Sequence, residues 1–183
     1  DVRDFIKTDN SYRDVSVNWE KTQERVKNID RSELNITQGF LGSDDNNFTT
    51  TLGREGSDYT AAILAYCLNA DSVTIWKDVP GVLNADPRYF KETQLLNKIS
   101  YREAIELAFY GASVIHPKTL QPLQQKEIPL HVKSFINPKN TLTTSFAYRK
   151  GKDKNTSNLV YRDAYGSIDN VHLITERLEN EKG

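Results

Sequence analysis

Thr51, Gly53, Arg54, Gly56, Ser57 and Asp58 bring a guanidinium, two hydroxyls, a carboxylate and two glycines together just ahead of a long apolar run. A helix starting there gathers unsatisfied backbone N–H groups, the positive end of its dipole and a forked cation around one point, which is the chemistry of an anion site. Arg54 is the strongest single candidate, because a planar fork beside glycine-flanked backbone can grip a carboxylate or phosphate through two oxygens. Each residue also has a plainer role: Arg54 as a surface arginine, Ser57 and Asp58 as cap and first-turn residues worth about 1 kcal/mol. Their occurrence as a set points to a bound ligand.

A second group, Lys77, Asp78, Asp86, Pro87 and Arg88, falls in the run WKDVPGVLNADPR. Cations and carboxylates that bracket a loop at a strand end suit a polyphosphate and its magnesium ion. Taken alone, the Asp-Pro and Pro-Gly pairs are turn punctuation. A third run, FYGASVIHPKTL, carries Ser113 and His116 between a helix stop and a helix start. His116 reads as a structural, hydrogen-bonded histidine, since His131 and His172 fall in no ligand spacing with it, and no metal-ligating set is expected. Cys67 lies inside the apolar run and reads as a small core hydrophobe rather than a nucleophile.

These groups must be positioned by the elements around them. From about Ser57 to Asn69 the apolar residues run almost all round a helical wheel, so a helix buried on several sides is expected, covering a sheet. Residues 72–76 read as a central parallel strand, and 35–41 as a short strand ending in a loop, Gly42 to Asn47. Thr49–Leu52 is a candidate return strand. Trp19–Val26 reads as a solvent-facing helix. Ser100-x-x-Glu103 matches a capping box that opens a helix through Tyr110, closed by Gly111. A helix from Pro117 to about Gln125 and a strand near 129–135 follow. Strands alternating with helices predict an α/β layered sheet with helices on both faces and ligands at the carboxyl ends of its strands. Residues 150–158 read as a polar linker between a main body, 1–149, and a strand-helix segment, 159–183, that completes the same domain.

Composition narrows the function. The 183 residues carry 24 Lys and Arg against 25 Asp and Glu, for a net charge of -1, with no basic stripe, which argues against a nucleic-acid partner. No apolar run reaches the length of a membrane span, and the single cysteine fits a reducing cytoplasm. Methionine is absent, so the opening Asp1-Val2-Arg3 reads as the middle of something longer.

The runs TQGFLGS, TTTLGREGSDYTAA, WKDVPGVLNADPR and FYGASVIHPKTL, in this order and at these separations, closely resemble the second half of the kinase domain of aspartokinases, in the amino acid kinase superfamily. The resemblance covers roughly Asp1 to Ser134. It implies a three-layer αβα sandwich that transfers the γ-phosphoryl group of MgATP to the side-chain carboxylate of L-aspartate, the first step towards lysine, threonine and methionine. By that resemblance Arg54 would clamp the substrate α-carboxylate, with Thr51, Gly53 and Ser57 nearby. Asp58 would organise the transfer site by holding a lysine. Lys77, Asp78 and Arg88 would contact the nucleotide, with Asp86 and Pro87 shaping that loop. Ser113 stands where many relatives have a nucleotide-contacting lysine, Glu55 where many have glycine, and Leu83 where several have tyrosine. The family's Lys-Phe-Gly-Gly-Thr-Ser loop is not found ahead of these motifs. Residues 159–183 weakly resemble the family's first strand and helix, out of order. Two expectations follow: an aspartate kinase, or a non-catalytic nucleotide-binding or scaffold module of the same fold. Sheet and helix faces left uncovered would favour self-association as a homo-oligomer.

Overall fold

The computed structural model describes residues 1–30, 34–109, 114–139 and 143–147. Ser113, the Gly111 helix stop, the linker and the segment 159–183 all lie outside the described residues.

The centre of the molecule is α3 (Gly56–Leu68) against β3 (Val73–Lys77). Ten of the thirteen α3 residues are buried, as an all-round apolar helix requires. Asn69 closes the helix in the left-handed conformation (φ 51), and the Lys126 ammonium bonds the Tyr66 carbonyl at 2.6 Å while lying 4.1 Å from the Tyr66 ring centre. A cation at a helix C-terminus meets the negative end of the dipole.

β3 belongs to a four-stranded sheet in the order β3-β5-β6-β4, with β4 Lys98–Ser100, β5 Leu130–Ser134 and β6 Thr144–Ala147. The β3–β5 and β4–β6 pairs are parallel and β5–β6 is antiparallel, so the sheet is mainly parallel. Lys77 pairs in register with Ser134, which sets the carboxyl ends of β3 and β5 side by side. Helices α4 (Tyr101–Phe109) and α5 (Pro117–Gln125) pack on one another, and α5 packs on α3. Val73, Ile75, Leu120, Leu123, Leu130 and Val132 are fully buried in the core between them. The fold class is α/β, as the alternation of elements predicts.

The capping box forms: the Ser100 amide and hydroxyl both donate to Glu103 Oε2 (2.9 and 2.6 Å), and the Glu103 amide donates back to Ser100 Oγ. The helix from Pro117 ends at Gln125, with His116 as its N-cap, Nδ1 accepting from the Lys118 amide at 3.2 Å. Two expectations need correction. The strand expected over 35–41 is shifted: β1 is Leu41–Ser43, paired antiparallel with β2 (Thr49–Thr51). Ile36, within the expected strand, is 89% exposed, so the alternation there marks no buried face. The helix α2 (Trp19–Val26) is not simply solvent-facing: Thr22 and Val26 are fully buried, and Trp19 meets Tyr66 of α3 edge to face at 4.9 Å. A short helix α1 (Val2–Phe5), with Val2 and Ile6 fully buried, ties the polar-looking start of the chain into the same core.

Cys67 faces this interior, and burial raises its thiol to about 11. At pH 8 roughly one molecule in a thousand would then be thiolate. The thiol is expected to resist a thiol-reactive dye in the folded protein and to react at once in 6 M guanidinium. Stoichiometric labelling of the native protein within minutes would show that the helix opens there.

Candidate functional site

The approach to α3 is built from strained backbone. Gly53 has φ +81, and Glu55, the residue before the helix, has φ 54 in a conformation that non-glycine residues rarely take. Phe40, at φ 74, is a third case. Its amide donates to Thr60 Oγ1 at 2.9 Å, and its ring packs so closely on Gly56 that an added Cβ there would lie 2.6 Å from it. Strain of this kind costs on the order of 1–3 kcal/mol per residue and collects at functional sites. No side chain caps α3. The Ser57 amide has no protein acceptor among the described residues, so it is available to an anion. Arg54 is exposed, and its guanidinium has no partner among the described residues.

Glu55 explains its own strain. Its carboxylate accepts from the His116 amide at 2.9 Å and stands 3.8 Å from Lys77 Nζ. Lys77 is 2.9 Å from the Asp58 carboxylate and also donates to the Val114 carbonyl. The side chains of Lys77, Glu55 and Asp58 are only 18%, 13% and 8% exposed, so these are interior charges held by mutual neutralisation. The end of β3, the start of α3 and the segment leading into α5 therefore meet at one ammonium. Arg54 is next to Glu55 in the chain, one residue from the carboxylate that faces Lys77.

The remaining candidates are placed less centrally. Thr51 is pinned by its neighbours, its amide and hydroxyl both donating to the Tyr12 carbonyl (2.9 and 3.1 Å). Asp78 is exposed beside Lys77 and has no partner among the described residues. Residues 78–97 form an excursion stapled by bonds from the Asn84 amide to Gln94 and from the Leu96 amide to Val82. Asp86, Pro87 and Arg88 sit at its tip. Arg88 grips Asp86 through Nε and one terminal nitrogen at 2.6–3.1 Å and is 80% exposed. Those hydrogen bonds hold the Asp86 carboxyl below the usual range. None of these contacts reaches Lys77 or α3, so the structure brings Lys77 and Asp58 together and leaves Asp86 and Arg88 with each other. Sequence reasoning gave no role to the carboxylate of Glu55 or the carbonyl of Val114. A non-glycine residue inside a glycine-rich turn was the one available signal.

An uncapped helix start beside a half-buried ammonium at the carboxyl end of a parallel strand belongs to an α/β protein of mainly parallel sheet. The amino acid kinase family model matches residues 2–134, and the chain belongs to that family. Its relatives place it with the aspartokinases. The lysine-sensitive aspartokinase 3 of Escherichia coli is 50% identical over 106 residues, and the bifunctional aspartokinase/homoserine dehydrogenase of Buchnera aphidicola is 38% identical over 141. These alignments cover 58% and 76% of this chain but 24% and 17% of those proteins, so the chain spans no more than a quarter of the length of either relative. E. coli aspartokinase III, solved with aspartate and ADP, superposes with a TM-score of 0.74 at 37% identity, over 81% of this chain and 34% of that one. The aspartate kinase of Clostridium acetobutylicum gives 0.70 at 30% identity, over 83% and 33%. Among the described residues no helix is long and apolar enough to cross a membrane.

Proposed function

We propose that this chain carries the substrate and nucleotide site of an aspartate kinase, transferring the γ-phosphoryl group of ATP to the side-chain carboxylate of L-aspartate in the cytoplasm. The observation that carries this reading is the meeting of the uncapped α3 start and the Lys77–Asp58–Glu55 cluster, with the exposed Arg54 next to Glu55 in the chain. Arg54, the Ser57 amide and the Gly53 turn would hold the α-carboxylate of the amino acid. Lys77, oriented by Asp58, would face the phosphates from the strand end. Among the described residues no group of three or more His, Cys, Asp or Glu could hold a metal. A magnesium ion would therefore arrive with the nucleotide, and the exposed Asp78 is the carboxylate this chain could lend it. Such an ion would supply charge neutralisation to the transferred phosphoryl group. Phosphoryl transfer asks mainly for positioning and charge neutralisation, which are what these residues offer.

Trapping of aspartyl phosphate with hydroxylamine in the presence of MgATP tests the reading. Arg54→Ala removes a charge-assisted grip worth about 1.5–3 kcal/mol and is expected to raise the KM for aspartate roughly ten- to 150-fold with the fold intact. An unchanged KM would remove Arg54 from the site. A second reading has its own motive, since Lys77 already satisfies its donors on protein groups: a nucleotide-binding module without turnover. Calorimetry showing ATP binding by a folded chain that forms no hydroxamate would select it.

A further inference from the structure

Asp14 lies against the candidate site for no reason that the fold supplies. It reaches there from a loop whose backbone is strained at Tyr12 (φ 63) and at Asp14 itself (φ 50). Its carboxylate presses on the Gly53 turn so closely that a Cβ added to Gly53 would lie 2.3 Å from Asp14 Oδ1. The same oxygen accepts from the Lys118 ammonium, 104 residues away on the first turn of α5. That ammonium is 5.8 Å from the centre of the Tyr59 ring in α3. One carboxylate thus sits between a lysine and the turn that presents Arg54. It is an awkward neighbour for an anion site, since like charge repels the ligand the site is built to hold.

The pair does little for stability. Asp14 is 71% exposed and Lys118 33%, and ion pairs at such positions are worth at most about a fivefold change in an equilibrium constant. An incoming carboxylate can displace it at small cost and would find an ammonium already placed to receive a carboxylate oxygen. We propose that Lys118 is a second cationic ligand for the carboxylate of the amino acid held at Arg54, and that Asp14 occupies this position as an internal competitor until substrate displaces it. The inference rests on the proposed amino-acid site at the α3 start. It adds a specificity residue, Lys118, and a built-in threshold, Asp14, that weakens binding of scarce substrate.

Calorimetric titration of the 183-residue chain with L-aspartate tests both parts. Asp14→Asn is expected to bind about three- to tenfold more tightly than the unaltered protein. Lys118→Ala should bind at least tenfold more weakly, and Lys118→Arg should recover most of that loss. The gain from Asp14→Asn should vanish when Lys118 is alanine, which a merely structural role would not produce. Melting temperatures within about 1 °C of one another would show that the fold is unaffected. If Arg54→Ala abolishes binding while the Asp14 and Lys118 variants bind like the parent, the competitor is refuted and the proposed site stands. Should neither the parent nor Asp14→Asn bind L-aspartate, or should Arg54→Ala bind as the parent does, the site itself is wrong and the inference goes with it.

Discussion

Lys77→Met is expected to destabilise the chain by about 3 kcal/mol and to remove ATP binding together with any hydroxamate formation. The substitution keeps the length of the side chain but leaves Asp58 and Glu55 as interior carboxylates without their ammonium. An uncompensated interior charge costs more than the pair contributed, on the order of 3–5 kcal/mol when one partner is deleted. Asp58→Asn should cost less, because Lys77 retains the Val114 carbonyl and the Glu55 carboxylate. In the double variant Asp58 no longer brings a charge, so about 1 kcal/mol or more should return. Urea unfolding of the four proteins measures this coupling. Strictly additive losses would mean that the ammonium and the carboxylate do not act on each other, and the site would need another organiser.

The second large effect is expected at Gly81→Ala. Gly81 has φ +144, a conformation open essentially to glycine alone, and a methyl group there would lie 2.2 Å from Thr144 Oγ1 and 2.8 Å from Thr144 Cβ. Thr144 is fully buried on β6, and its hydroxyl accepts from the Val82 amide at 2.9 Å. The alanine must therefore push β6 or release the root of the 78–97 excursion. Either outcome costs about 3 kcal/mol, a drop in melting temperature of roughly 6–12 °C for a chain of this size. Limited proteolysis should then cut within 83–95 before it cuts elsewhere. A variant that melts with the parent would show that the backbone at 81 can relax in ways the packing does not suggest.

Much of this was legible in the sequence because it is local. The all-round apolar helix, the β-branched strand after it, the Ser100–Glu103 box and the helix from Pro117 are each specified by residues within a few positions of one another, and each appears within a residue or two of its expected bounds. The strand read over 35–41 failed for the opposite reason. Alternation is only a statement about burial, and Ile36 is left exposed, whereas Leu41–Ser43 finds a partner in Thr49–Thr51. Strands β4 and β6 are short and are defined by pairing with each other, and β6 also by pairing with β5, which no local pattern announces. At the site, residue types were visible and partnerships were not. The Glu55–His116 bond spans 61 residues and the Asp14–Lys118 bond 104, beyond any periodicity. Lys77 could be read as a cation at a strand end, but its place beside Asp58 depends on how α3 crosses β3.

The left-handed Glu55 has a mechanical consequence. Because one carboxylate clasps the amide of His116 and faces the ammonium of Lys77, the mouths of two helices and the tip of a strand are geared together. A movement of any one of these three drags the other two with it, so they would shift as one unit and not as three independent adjustments. A glycine at 55 would relax the backbone and strip out the gear, trading a coordinated motion for a looser one.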